Sequence, residues 1–149
     1  MFTKACEYAI KAMIFIAIQS QNKNRTGLNE IAIGIDSPLP FTAKILQKLV
    51  KSKLIESQKG PSGGFAISED AAASIRLSDI VTAIDGTLFY NKCALGFDTC
   101  NDDQPCSLHY KYKDLKTGIK EMIEQTTLAD LTKNISSGLS FLKRPGMLS

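Results

Sequence analysis

The sequence predicts a mainly α-helical fold with one small β-hairpin. Apolar residues recur at helical spacing in several segments of the chain, which is the main signal for amphipathic helices. A glycine-rich run, KGPSGG at residues 59–64, separates two short segments that are typical of strands. Residues 92–108 are poor in apolar side chains and contain three of the four cysteines, so we expect an irregular loop there.

The overall composition is that of one globular domain. The chain has 149 residues, of which 44% are hydrophobic, and its net charge is +3. Its longest apolar run, residues 12–18, is far shorter than the roughly 20 residues that cross a bilayer. The N-terminus carries Glu7 within its apolar pattern and does not resemble a signal peptide. We therefore expect a cytoplasmic protein, without a membrane partner, whose thiols stay reduced.

Three helices are predicted in the first third of the chain. Residues 3–19 show helical periodicity that no glycine or proline interrupts. Thr26 is expected to cap a short second helix that ends at Gly34. Asp36 or Ser37 should open the third helix, where two early prolines are tolerated because the first turn needs no backbone donor.

The third helix and the segment after it are basic. Lys44, Lys48 and Lys51 follow one another at i, i+4 and i+7 and therefore share one helix face. Residues 38–60 hold five lysines against one acidic residue, a balance that can attract phosphates. A solvated helix face without a partner is the alternative interpretation.

The strands and the basic turn complete a recognisable order of elements. Residues 54–58 and 65–67 flank the glycine-rich run as the two arms of a β-hairpin. Three short helices followed by a hairpin with a basic tip is the order of a winged helix-turn-helix. In that fold the helix after the turn enters the DNA major groove, and tip glycines let the main chain approach the phosphates.

The second half of the chain predicts further helices. A short helix at residues 77–84 ends at Gly86, and a long helix begins near residue 107. The long helix carries a narrow apolar seam, with residues at alternating spacings of four and three: Leu108, Tyr112, Leu115, Ile119 and Met122. A narrow seam suits one facing helix, and palindromic DNA sites require a two-fold protein, so we favour a homodimer contact. Packing against the chain's own domain is the alternative.

The end of the chain is less regular. Thr126 or Thr127 should cap a last helix, and residues 136–149 are expected to form a loose tail. The sequence thus divides into a winged helix-turn-helix region at 1–86, a cysteine loop at 87–107, dimerisation and C-terminal helices at 108–135, and the tail at 136–149.

The cysteine loop is a candidate metal site. Cys93, Cys100, Cys106 and His109 are spaced Cys-x6-Cys-x5-Cys-x2-His. These gaps are wider than the Cys-x2–4-Cys knuckles of most zinc sites and suit an iron–sulfur cluster, whose iron atoms each require a ligand. Structural zinc, redox-active thiols and the absence of any role remain alternatives.

The fourth ligand has two candidates. His109 follows Cys106 by three residues at a helix start, which places both side chains on one face. Glu7 on the first helix could instead reach the site from the partner subunit. Cys6 lies in the same helix as Glu7 and is expected to be a small buried hydrophobic residue that is separate from the site.

These motifs together resemble those of the Rrf-type winged-helix transcriptional regulators, the family that includes IscR-like and NsrR-like iron–sulfur regulators. The resemblance covers about residues 2–135 and rests on five segments: KACEYAIKAM, LQKLVKSKLIESQKGPSGGFAI, LSDIVTAIDG, the cysteine loop and TTLADL. The KGPSGGF wing is the most specific of them. The first gap between cysteines, at six residues, is longer than in many members.

The resemblance implies a homodimeric DNA-binding regulator, expected to be a repressor, that is switched by a two-iron or four-iron cluster sensing redox state, nitric oxide or cluster status. Cys93, Cys100 and Cys106 match the family's cysteine ligands, His109 matches the histidine ligand of IscR-like members, and Glu7 matches an acidic ligand of others. The residues expected to contact double-stranded DNA are Thr42, Lys44, Lys48, Lys51, Lys59, Gly60 and Ser62.

Two other classes of function were weighed against the cluster sensor. A thiol enzyme would require a Cys-x2-Cys pair, or a cysteine with a base and an orienting acid. The chain has one histidine and no such pair, so we expect no enzymatic activity. The closer alternative is a cluster-free regulator of the same fold that is controlled by cysteine oxidation or by a partner protein.

Overall fold

The computed structural model describes residues 2–87 and 92–144. Its helices and strands follow in the order α1 Lys4–Gln21, α2 Leu28–Gly34, α3 Leu39–Lys51, β1 Glu56–Gln58, β2 Gly64–Ala66, α4 Glu69–Ser74, α5 Leu77–Asp85, α6 His109–Gln125 and α7 Leu128–Ser136. The predicted mainly helical fold with one hairpin is confirmed. Helix α4 is an addition to the predicted elements.

Helix α1 is the centre of the hydrophobic core. It packs against α2, α3, α4, α5, α7 and β2, and Met13 and Ile16 on it are fully buried. Thr3 caps its N-terminus, because its hydroxyl accepts a hydrogen bond from the backbone N–H of Cys6 at 3.1 Å. The arrangement therefore holds the DNA-binding helices and the helices that follow them on one shared support.

Thr26 does not cap α2, contrary to the sequence prediction. Gly27 is the N-cap residue, and Thr26 is only 1% exposed. Its backbone exchanges two hydrogen bonds with Phe65, from Thr26 N to Phe65 O at 3.0 Å and from Phe65 N to Thr26 O at 2.8 Å. Thr26 is therefore used as a one-residue extension of the hairpin, a role that suits a β-branched side chain.

The start of α3 also differs from the prediction. Neither Asp36 nor Ser37 is the N-cap; Pro38 occupies that position and α3 begins at Leu39. A proline is tolerated here because the first residues of a helix have no intrahelical acceptor for their N–H groups.

The hairpin is antiparallel and short. Glu56 pairs with Ala66, and Gln58 pairs with Gly64. Gly64 has φ +129°, and a Cβ there would lie 2.8 Å from the carbonyl oxygen of Thr26, so this close approach requires glycine. The glycine-rich run therefore serves both the turn and the contact with the strand-like residue before α2.

The last elements pack at the opposite end of α1 from the hairpin tip or extend from the core. Helix α6 contacts α5, and Ile123 is its fully buried anchor. Helix α7 begins at a capping box, in which Thr127 and Asp130 bond each other's backbone N–H groups. None of the helices within 2–87 and 92–144 combines the length and apolar composition that crossing a membrane requires.

Part of the segment expected to be a loose tail is packed instead. Leu142 lies against the hydrophobic core, and the Lys143 ammonium donates to the carbonyl oxygen of Ile33 at 3.3 Å. The apolar side chain in this segment thus finds a place on the core. Residues 145–149, also predicted to belong to the tail, lie outside the described residues.

Candidate nucleic-acid interface and cysteine centre

Helix α3 presents a basic face to solvent. Lys44, Lys48 and Lys51 are all exposed, while Ile45, Leu46 and Leu49 on the other side are buried in the core. The amphipathic spacing therefore directs three ammonium groups outward from one helix, as the sequence predicted.

Thr42 is not part of this exposed face, which corrects the prediction that it contacts DNA. It is 1% exposed, its hydroxyl donates to the carbonyl oxygen of Pro38 at 2.8 Å, and the same oxygen contacts the Ser37 hydroxyl. Position 42 falls on the core side of α3, where the hydroxyl can satisfy a carbonyl of the preceding turn. We assign Thr42 to the helix-turn-helix core.

The hairpin tip is exposed and basic. Lys59, Gly60 and Ser62 are all solvent-exposed, and Gly60 has φ +102° with open space around it. Beside the strands, Arg25 forms an ion pair with Glu56, with Nη2 and Oε2 separated by 3.9 Å. Sequence reasoning missed Arg25, because its neighbourhood to the hairpin depends on the bridge between residues 26 and 65.

Two of the cysteines form a contacting pair. Cys93 is buried, with 8% of its surface exposed, and the Cys106 thiol lies close enough to hydrogen-bond to it. The backbone N–H of Leu95 donates to Cys93 Sγ at 3.4 Å, and this bond is the main cause of the lowered pKa of the Cys93 thiol. A lowered pKa favours the thiolate, the form that binds metals.

His109 is held by a carboxylate of the loop. It is 4% exposed, and its Nε2 lies 2.7 Å from Asp102 Oδ1. The Lys113 ammonium donates to the same oxygen at 2.8 Å. The hydrogen bond from Lys113, followed by that from His109, lowers the pKa of the Asp102 carboxyl. Sequence reasoning treated Asp102 only as a loop residue, because nothing in its spacing identifies its partner.

Cys100 and His109 line a common cavity of about 280 Å³ next to α6, together with Asp102 and four α6 residues: Lys113, Lys116, Thr117 and Lys120. Within the described ranges, no group of three or more His, Cys, Asp or Glu side chains is close enough together to hold a metal ion. The donors therefore stand as two neighbouring pairs, Cys93 with Cys106 and Cys100 with His109.

The chemistry of these donors fits a soft metal centre. All four cysteines of the chain are free thiols, one loop thiol has a lowered pKa, and a backbone N–H already points at its sulfur. Thiolates and imidazole are the ligands that iron–sulfur clusters use. Binding would require the loop to bring its two pairs together.

The first helix contributes two further groups. Glu7 is half-buried and pairs with Lys4, with Oε2 and Nζ separated by 3.3 Å. Cys6 is fully buried, and burial, followed by the nearby Asp85 carboxylate, raises the pKa of its thiol to about 12. Cys6 is thus a neutral core residue, in agreement with the sequence interpretation.

The apolar seam of α6 remains on the surface of the protomer. Leu108, Leu115 and Met122 are 43%, 65% and 44% exposed, and Tyr112 and Ile119 are half-buried. The core contact of α6 is made by Ile123, which lies beside the seam. Packing against the chain's own domain therefore leaves the seam available, and the dimer contact stays a prediction.

The sequence matches a described family along most of its length. Residues 2–134 match the model of the Rrf2 family, described as an iron-dependent transcriptional regulator. Over 134 residues the chain is 32% identical to an HTH-type transcriptional regulator of Aquifex aeolicus, covering 88% of this chain and 90% of that protein. It is 30% identical over 132 residues to the HTH-type transcriptional regulator IscR of Yersinia enterocolitica, covering 89% of this chain and 79% of that protein.

Solved structures show the same fold. CymR, described as the global cysteine regulator of B. subtilis, superposes with a TM-score of 0.73 at 21% identity, covering 89% of this chain and 96% of that chain. IscR of T. potens superposes with a TM-score of 0.71 at 19% identity, covering 100% of this chain and 96% of that chain.

Proposed function

Because this chain belongs to the Rrf2 family of transcriptional regulators, we propose that it is a cytoplasmic repressor whose affinity for promoter DNA is switched by an iron–sulfur cluster. The observation that carries the proposal is the arrangement of donors at the start of α6. Cys93 contacts Cys106, and Cys100 shares a cavity with His109. Its relatives are regulators rather than enzymes, as the sequence predicted.

Cys93, Cys100, Cys106 and His109 would hold a two-iron or four-iron cluster, with Glu7 of the partner subunit as the alternative to His109. Such a cluster supplies a one-electron redox centre that reacts with oxygen or nitric oxide. The chain's own part is to provide thiolates, for which the Leu95 N–H is already placed at 3.4 Å from Cys93 Sγ.

The loop is mechanically connected to the DNA-binding region. Cys106 O accepts from the backbone N–H of His109 at 3.0 Å, and the Lys116 ammonium donates to Lys92 O at 3.2 Å. Helix α6 contacts α5, and α5 contacts α1 and α3. A change of loop conformation can therefore reach the recognition helix through packed helices, and the DNA affinity changes by the free-energy difference between the two states.

Lysines would make most of the DNA contacts. Lys44, Lys48 and Lys51 suit phosphate oxygens better than base edges, because an ammonium group cannot form the bidentate pairs that read bases. Lys59 and Gly60 would place the wing against the backbone. Two copies joined along the α6 seam would present two recognition helices to a palindromic site.

We expect Lys59→Ala to weaken binding to all DNA sequences by a similar factor. Loss of one phosphate contact should reduce the magnitude of the slope of log K against log salt by about 0.9. Titration of specific and random duplexes at several salt concentrations measures both effects. Lys133→Ala, an exposed lysine on α7, is the matched control and should leave the slope unchanged. An unchanged slope for Lys59→Ala would remove the wing from the interface.

The function itself is tested by purification without oxygen. The protein should carry iron and sulfide, absorb visible light, and change its affinity for promoter DNA when air or nitric oxide bleaches it. A colourless, iron-free protein from cells with active cluster assembly would contradict the cluster proposal.

A thiol switch is the second candidate, and one contact favours it. The Cys93 and Cys106 thiols already touch, so an oxidant could join them as a disulfide without a large change of the loop. In that case an iron-free protein would still respond to peroxide, and reduction with dithiothreitol would restore its DNA affinity.

A further inference from the structure

We propose that Asp102 is the positioning residue for His109: its carboxylate fixes the proton on Nε2, so that Nδ1 is the nitrogen that binds iron. The inference rests on the proposed cluster function and specifies the fourth ligand and its ligating atom. It grows from a contact between a loop residue and the first residue of α6 that the sequence did not reveal.

The geometry of the contact is that of a strong hydrogen bond. His109 Nε2 and Asp102 Oδ1 are 2.7 Å apart, the imidazole is 4% exposed, and Asp102 is 67% exposed. A buried ring with one anchored nitrogen has little freedom to turn. The exposed carboxylate thus comes to the ring from the loop, and the ring is held by the fold.

Lys113 holds the carboxylate in place. It lies four residues after His109 and therefore on the same face of α6, and its ammonium is 2.8 Å from the same Asp102 oxygen. Asp102 Oδ1 thus accepts from two donors that the helix keeps at a fixed spacing. This bond keeps the loop residue over the imidazole even though its own backbone belongs to an irregular segment.

The chemistry of the two groups decides which nitrogen is free. An ionised carboxylate only accepts hydrogen bonds, so Nε2 must carry a proton, and in the neutral ring Nδ1 then holds the lone pair. If the ring is charged, binding of a metal releases the Nδ1 proton and leaves the Nε2 proton with Asp102. Carboxylates that orient metal-binding histidines in this way also make them more basic ligands.

The same contact separates the two candidates for the fourth ligand. His109 is buried beside Cys100 and pre-oriented by Asp102. Glu7 is paired with Lys4 on the helix where both residues lie. The structure therefore assigns the fourth position to His109 and gives Asp102 the task of presenting it.

The test uses the full chain, in which His109 is the single histidine, so its ¹⁵N signals need no assignment. In cluster-free protein, at a pH where the ring is neutral, we expect the tautomer with hydrogen on Nε2. Asp102→Asn should lose this preference, because an amide can donate to Nε2 as well as accept from it. Asp103→Asn, the neighbouring exposed acid, is the matched control and should behave as wild type.

The cluster-loaded protein gives the second measurement. Asp102→Asn should hold its cluster about 10- to 100-fold more weakly and change the nitrogen coupling in pulsed EPR of the reduced protein. Lys113→Met should shift both readouts in the same direction by a smaller factor. An unaltered coupling and cluster lifetime in Asp102→Asn would overturn the positioning role.

The two proposals fail in different ways. A wild-type protein that carries no cluster after anoxic purification defeats the proposed function. A wild-type tautomer with hydrogen on Nδ1, in a protein that does carry a cluster, defeats the role of Asp102 and leaves the cluster switch intact.

Discussion

Replacing Cys93, Cys100 and Cys106 together with serine should abolish iron binding and leave DNA affinity indifferent to air. Serine hydroxyls remain protonated at neutral pH, so three of the four donors to the metal are lost. Without the cluster, nothing distinguishes the loop before and after oxidation, and the ratio of the two DNA affinities should fall to about 1. Iron content and DNA titrations on anoxic and air-treated samples measure the effect.

Cys6→Ala is the control for this experiment. Its thiol is fully buried and lies in the core with a pKa raised to about 12, so the variant should keep its iron and its response to air. A triple variant that still binds iron, or still responds to oxygen, would contradict the cluster proposal.

Cys100→Ser alone separates the two candidate switches. It removes one cluster ligand but leaves the contacting pair of Cys93 and Cys106 intact. A cluster sensor should lose most of its response in this variant, whereas a disulfide switch should keep it in full. The same titrations with peroxide in place of air complete the comparison.

Leu115→Glu should convert the dimer to monomers and lower affinity for a palindromic site by at least about 100-fold. The side chain is 65% exposed on the protomer, so the change should not disturb the core, but it places a charge in the middle of the α6 seam. Once the subunits separate, each half-site is bound independently and the gain from linking two binding events is lost. Sedimentation and DNA titration report the two consequences.

Thr117→Glu introduces the same side chain two residues further along, about 200° around the helix from Leu115. This position is exposed, and the variant should remain dimeric. If Leu115→Glu also remains dimeric and binds DNA normally, the seam is not the subunit interface.

The main helices were predictable because their apolar periodicity is local and strong. Helix α1 runs Lys4–Gln21, where residues 3–19 were expected. Helix α4 was missed because six residues with small side chains give too short a pattern. Its signal was present in Ser68, whose hydroxyl accepts from the backbone N–H of Ala71 at 3.1 Å and so caps the helix.

The errors at Thr26 and Thr42 have a common cause. Both residues have side chains that suit a cap or a polar surface, so local preference alone favoured those roles. In the folded chain both are 1% exposed, because Thr26 joins a strand from residue 65 and Thr42 faces the core. Tertiary packing overrides local preference when a distant segment supplies the partner.

By itself, the sequence determined the kinds of elements, the basic outer face of α3, the exposed seam of α6 and the set of thiols in one polar loop. These properties depend on residue type and spacing within a single segment. Only the tertiary structure decided that Cys93 meets Cys106 and that Asp102 meets His109. An irregular loop has no period from which its contacts can be read, so its path over α6, and with it the pairing of its side chains, is set by packing and hydrogen bonds between segments.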